Sequence, residues 1–220
     1  MTLPRKARAV VFDMDGLILD NEPIYRDAMI AAAGDRGHDL TLGLCLTTVG
    51  LTKEATRNVL SEHFGKAFDF DNFWTAASRR FHEMAASQLR LKAGVVELLN
   101  VLDDIGLPRA VATSSCREDV QRYLTACGLR DRFQAVVAQG DYAHGKPNPD
   151  PFLKAAERLR VEPACCLALE DSYNGVRAAS GAGMMTIMVP DLLASTPEME
   201  RLCICIVRDL HQVCILMNHD

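Results

Sequence analysis

No apolar run in this 220-residue chain approaches the ~20 residues a membrane-spanning helix needs, so no membrane partner is expected. Residues 1–8 are basic, but the apolar stretch Val10-Val11-Phe12 that follows is short and runs at once into Asp13. That is too short for a secretory signal, and a cytoplasmic location is expected. A basic surplus is also missing: the formal net charge is −5, which offers no general attraction to nucleic acid or an acidic membrane. Any phosphate group must therefore be held locally. No CxxC pair occurs among Cys45, Cys116, Cys127, Cys165, Cys166, Cys203, Cys205 and Cys214, which reads as small buried thiols in place of a zinc site or disulfide framework. Internal repeats and low-complexity tracts are absent. What is present is 49% apolar and 24% charged residues, the balance of a soluble globular protein. The length allows one core with an inserted subdomain, or two modest domains.

The stretch Val10-Val11-Phe12-Asp13-Met14-Asp15-Gly16 runs from apolar residues straight into two carboxylates and a glycine, as a buried strand does when it ends in a polar loop. Residues i and i+2 of an extended chain face the same way, so Asp13 and Asp15 can converge on one point. Such a pair suits a cation, an acid/base pair or both. By itself it fits an Asp-Gly hairpin turn equally well.

Downstream, Pro23 suits the first turn of a helix over residues 24–34 that Asn21 could cap. Residues 35–50 read as irregular, broken by Gly37, Gly43 and Gly50. Residues 53–64 and 70–89 carry the three-and-four apolar spacing of amphipathic helices. From Leu91 onward strands alternate with helices: strands near residues 109–115, 134–138, 165–169 and 184–189, helices near 95–105, 115–128, 150–159 and 174–182, then one more strand and a closing helix within 202–220. Ser115 with Glu118 fits a capping box for the helix starting there. Alternation of this kind predicts a three-layer α/β fold with a Rossmann-like parallel sheet. The all-helical segment predicts an inserted cap over residues 20–88, leaving a discontinuous core of 1–19 and 89–220.

Loops at the carboxyl ends of parallel strands open on one edge of the sheet. Asp13 with Asp15, Thr113 with Ser114, the loop carrying Lys146, and Glu170 with Asp171 are thereby expected to meet. Each has a plainer reading alone: a helix cap for Thr113-Ser114-Ser115, an acidic first turn for Glu170-Asp171, a solvated lysine for Lys146. Gly140 to Lys146 matches GxxxxGK, but Pro147 stands where a nucleotide P-loop needs Ser or Thr, which excludes that motif.

Taken in order, these four signals resemble the haloacid dehalogenase superfamily. Asp13-Met14-Asp15-Gly16 is similar to its first motif, Val111-Ala112-Thr113-Ser114 to its second, Gly145-Lys146-Pro147 to its third and Glu170-Asp171 to its fourth. The resemblance spans essentially the whole chain, and its details are closest to the sugar-phosphate phosphatase and β-phosphoglucomutase branch. It implies that Asp13 is a nucleophile forming an aspartyl-phosphate and Asp15 a general acid and base. It implies a Mg²⁺ ion held by the Asp13 and Asp171 carboxylates and the Asp15 backbone carbonyl, with Glu170 acting through water or from outside that set. Thr113, Ser114 and Lys146 would hold the phosphoryl oxygens, and Lys53 would contact substrate from the cap. Cap movement on hinges near residues 18–21 and 88–93 is likewise implied. The expected function is a Mg²⁺-dependent phosphatase for a small phosphorylated metabolite. A β-phosphoglucomutase-type transferase and a non-catalytic phosphate-binding protein are the alternatives. Tyr25 and Val49 stand where a mutase has a histidine and a cap lysine, with Lys53 in place of a cap arginine, and these departures disfavour a mutase.

Overall fold

Strand β1 (Ala9–Phe12) is buried at every residue, as a strand covered on both faces must be. The computed structural model describes residues 3–49 and 51–217. It comprises two units, Met1–Leu19 with Leu91–Asp220, and Asp20–Arg90. From β1 the chain enters a tight turn closed by Gly16 N–H donating to Leu19 C=O at 2.9 Å. Gly16 has φ of +82°, in the left-handed region open to a residue without a Cβ.

The Asp20–Arg90 unit is helical: α1 (Glu22–Gly34), α2 (Leu42–Leu46), α3 (Lys53–Phe64) and α4 (Phe70–Gln88). Its core joins Met29, Ala32 and Ala33 of α1 to Phe70, Phe73, Ala76 and Ala77 of α4, with Leu60 of α3 between. Asn21 occupies the N-cap position of α1, but makes no side-chain capping bond there. The expectation of irregular chain over residues 35–50 is corrected by α2, a short helix whose N-cap Thr41 accepts from Leu44 N–H at 3.2 Å. Gly50, expected as a breaker, and Asn218, His219 and Asp220 of the closing segment lie outside the described residues, as do Met1 and Thr2.

The other unit continues through α5 (Val95–Asp104), β2 (Arg109–Ala112), α6 (Arg117–Ala126), β3 (Ala135–Val137), α7 (Asp150–Leu159), β4 (Cys166–Glu170), α8 (Tyr173–Gly181) and β5 (Met185–Met188). It closes with α9 (Pro197–Leu202), β6 (Cys205–Ile206) and α10 (Leu210–Met217). The sheet order is β3-β2-β1-β4-β5-β6, and every pairing is parallel. This is the expected α/β class. Ala9 and Val11 enter an apolar cluster with Phe152 and Ala155 of α7 and Ala178 and Ala179 of α8. Alternation turns Val10 and Phe12 to the opposite face, where Phe12 meets the edge of Phe133 at 5.7 Å. Helix α9 was not anticipated; Thr196 caps it and Pro197 opens it. Helix α6 starts at Arg117, with Cys116 at the N-cap, so the expected capping box at Ser115 does not form.

The order of strands makes β1 a switch point: the chain builds outward through β2 and β3, then crosses to β4 on the other side. Ligand crevices of open α/β sheets form outside such a point. The chain ends that bound it are held closely. Gly175, at the start of α8, sits so near the end of β4 that a Cβ there would meet Glu170 Oε1 at 1.6 Å. Gly175→Ala is therefore expected to lower stability by about 1–3 kcal/mol or more, the cost of overpacking a site with nowhere to yield. Urea unfolding measures this, and an unchanged midpoint would contradict the close approach.

Candidate active site

Asp13 directly follows β1 and is pinned by its N–H donating to Leu169 C=O of β4 at 3.0 Å. Thr113 follows β2 and is pinned in the same way to Val137 C=O of β3 at 3.0 Å. Lys146 arrives on the loop between β3 and α7. Glu170 is the last residue of β4 and Asp171 the next. The side chains of Asp13, Thr113, Lys146, Glu170 and Asp171 are all buried. The switch point thus collects charged groups in a place poor in water.

Lys146 Nζ donates to Asp13 Oδ1 and, at 2.6 Å, to Glu170 Oε1. Its ammonium also lies 5.1 Å from the centre of the Phe152 ring. Burial alone would push the lysine toward its neutral form, but Asp13 and Glu170 outweigh it and hold Lys146 above the ordinary lysine value. Glu170 Oε2 accepts from the N–H groups of Asp171 and Ser172, each at 2.9 Å, and from Ser172 Oγ at 3.0 Å. Both oxygens of Glu170 are thus spent on protein donors. Ser172 Oγ in turn accepts from Gly175 N–H at 3.1 Å and caps α8.

Asp15 is oriented by hydroxyls. Thr113 Oγ1 donates to Asp15 Oδ2 at 3.1 Å, and Ser115 Oγ donates to the same oxygen at 2.7 Å. Ser115 N–H donates to Thr113 Oγ1 at 3.0 Å, locking the Thr113 rotamer. This is the physical reason the expected capping box is absent: the Ser115 hydroxyl is committed to Asp15. The i, i+2 spacing of Thr113 and Ser115 on extended chain was the available signal for a shared target. Ser114, between them, is exposed.

The loop that delivers Lys146 has its own supports. Asp141 accepts from Ala138 N–H at 2.9 Å and pairs with Arg158 at 3.1 Å and with Arg117. Hydrogen bonding from Arg158 holds its carboxyl well below the usual carboxylate range. Tyr142 donates its hydroxyl to Thr113 C=O at 3.2 Å, tying the Lys146 loop to the end of β2. Neither residue was singled out in the sequence, where each reads as ordinary loop polarity.

Asp13, Glu170 and Asp171 offer carboxylate oxygens within 4.8 Å of one another. Burial pushes Asp13 well above the usual carboxylate range; Lys146 opposes that, while Glu170 and Asp15 add to it. Lys146 is a single charge shared between two of these carboxylates, Asp13 and Glu170. A divalent cation would offset the charge that remains, and an all-oxygen set suits a hard ion such as Mg²⁺. The donor chemistry and the charge therefore fit the ion. Gly16 adds to the fit: a Cβ there would stand 2.4 Å from Asp171 Oδ2 and block the approach to that carboxylate.

Lys53, expected to contact substrate, opens α3 in the helical unit, 3.6 Å from Asp71 and 5.7 Å from the centre of the Trp74 ring. Tyr25 packs edge-on against Trp74 and Phe81 in the same unit. No helix among the described residues is long and apolar enough to cross a membrane.

Residues 7–183 match the model of the haloacid dehalogenase-like hydrolases. Hexitol phosphatase B of Escherichia coli (strain K12) is 30% identical over 206 residues, covering 86% of either chain. The phosphorylated carbohydrates phosphatase of Thermotoga maritima is 30% identical over 179 residues, 81% of this chain and 83% of that protein. The crystal structure of CbbY from Rhodobacter sphaeroides in complex with phosphate superposes with a TM-score of 0.77 at 25% identity, covering 94% of this chain and 96% of that one. With its four motifs at the ends of neighbouring parallel strands, the chain belongs to the haloacid dehalogenase-like hydrolase family.

Proposed function

We propose that this phosphatase hydrolyses a small phosphorylated metabolite, a sugar phosphate or a similar monoester, through an aspartyl-phosphate formed on Asp13 with Mg²⁺ bound. The observation that carries the reading is Lys146 shared between Asp13 and Glu170 in a buried crevice. It sets a cation beside a carboxylate that must meet a dianionic ester. The substrate class is favoured by the hexitol phosphatase and the phosphorylated carbohydrates phosphatase among the similar proteins.

In this reading Asp13 attacks phosphorus, its new O–P bond replacing the bond to the leaving alcohol. Asp15 gives that alcohol a proton and later takes one from the water that cleaves the aspartyl-phosphate. Ser115 aims the Asp15 carboxylate by donating to its Oδ2, and the single Thr113 hydroxyl hydrogen, which lies on the same oxygen in this structure, would turn to the phosphoryl group when substrate binds. Thr113, the Ser114 backbone N–H and Lys146 hold the transferring oxygens. Asp13 and Asp171, with the Asp15 carbonyl, would hold the metal, while Glu170, its oxygens already engaged, fixes Lys146 and the Asp171 loop from outside. The bound ion offsets charge between the nucleophile and the ester. The helical unit would act as the cap. Lys53 is its proposed substrate contact, since an exposed pair such as Lys53–Asp71 exchanges readily for a substrate anion.

Asp13→Asn, nearly isosteric, is expected to abolish p-nitrophenyl phosphate hydrolysis without loss of fold; wild-type turnover would refute the nucleophile. Chelation of divalent ions is expected to stop turnover and Mg²⁺ to restore it, and activity in excess chelator would refute the metal. Ser115→Ala is expected to slow kcat roughly tenfold to a hundredfold, the worth of a hydrogen bond to a charged group. A rate equal to wild type would remove Ser115 from the positioning of Asp15. No conversion of β-glucose 1-phosphate to glucose 6-phosphate is expected, because Tyr25 and Val49 stand where a mutase has a histidine and a cap lysine. Isomerisation followed by an enzyme-coupled assay would replace the hydrolase reading with a mutase.

A further inference from the structure

Strand β5 leads through Val189 and Pro190 to Asp191, which returns toward the turn after β1. Asp191 Oδ1 accepts from Lys92 Nζ at 2.7 Å. The backbone of Lys92 is fixed in turn by its N–H donating to Ile18 C=O at 2.9 Å. Asp191 Oδ2 is buried and has no hydrogen-bond partner. A buried carboxylate oxygen in that state is destabilising, so its place in the fold calls for a physical reason.

Gly16 supplies the reason. The point where its Cβ would stand lies 2.4 Å from Asp171 Oδ2 and 3.4 Å from Asp191 Oδ2. The two carboxylate oxygens thus flank one small space that the glycine leaves free. A water retained by a cation on the Asp171 side would give Asp191 Oδ2 the donor it lacks. Lys92 offsets part of the Asp191 charge, but from Oδ1, on the other branch of the carboxylate.

We propose that Asp191 is a positioning residue for the divalent cation, acting from outside the direct ligands. Its Oδ2 adds negative potential on the Asp171 side and accepts from the water a hard cation retains. Lys92 clamps Oδ1 so that Oδ2 keeps this orientation. The inference rests on the reading of Asp13 and Asp171 as metal ligands.

Isothermal titration of the metal-free protein with Mg²⁺ tests it, without recourse to turnover. Wild type is expected to bind. Asp191→Asn, which keeps an acceptor for Lys92, is expected to bind about 10- to 100-fold more weakly, as loss of an outer partner does. Its metal-free thermal midpoint should not fall below wild type, because a buried anionic oxygen without a donor is removed, while the Mg²⁺-induced rise in midpoint should shrink. Lys92→Met, which removes the clamp and leaves the carboxylate, should keep an affinity nearer wild type than Asp191→Asn does. Asp191→Ser reads the same affinity if the asparagine variant does not fold. Wild-type affinity in the Asp191 variants overturns this proposal and leaves the direct ligands standing. Equal losses in the Lys92 and Asp191 variants assign the effect to the ion pair and overturn the role of Oδ2. Absence of Mg²⁺ binding in wild type overturns the ligand reading itself.

Discussion

The shared lysine between Asp13 and Glu170 is the constraint on which the rest of the site depends. Removing several carboxylates from water is costly, and each must find a donor or a cation to remain ionised. Lys146 meets part of that need at the centre of the crevice. The backbone amides after β4 meet another part, by holding the second oxygen of Glu170. What is left over is negative charge around Asp13 and Asp171, the condition under which a divalent ion binds and a dianionic ester can approach. Structure and chemistry are coupled here, because the same residues that strain the electrostatics without the ion would position it.

Glu170 shows how the fold carries this burden. It is the end of a buried strand, a lysine acceptor, an anchor for the Asp171 loop and a neighbour of Gly175. A Cβ at residue 175 would occupy the volume its carboxylate needs. The helix α8 can then start close to the strand end, with Ser172 capping it through Gly175 N–H. Packing, helix initiation and charge placement converge on the six residues from Glu170 to Gly175.

Much of this was legible in the chain because strand ends announce themselves. Val10-Val11-Phe12 before Asp13, and the apolar run before Glu170, mark buried parallel strands, and topology alone brings their ends together. Ser115 read as a capping serine, since Ser-x-x-Glu has the same spacing whether or not the hydroxyl is diverted to a carboxylate, and its i, i+2 spacing from Thr113 was the one sign of a shared target. Helix α2 was hidden by Gly43 and its short length; Thr41 capping and the burial of Cys45 outweigh that propensity. Asp191 carried no local signal at all, because its neighbours Lys92, Gly16 and Asp171 come from three distant segments. Contacts of that kind exist only after the sheet is assembled.

The central claim is that the carboxylate beside Lys146 becomes phosphorylated during turnover. Rapid acid quench of the protein with Mg²⁺ and a sugar phosphate, followed by peptide mass mapping, tests it most directly. A phosphoryl adduct on the peptide containing Asp13, absent without Mg²⁺, is the predicted result. Steady turnover with no adduct at Asp13, or with an adduct on another residue, would contradict it.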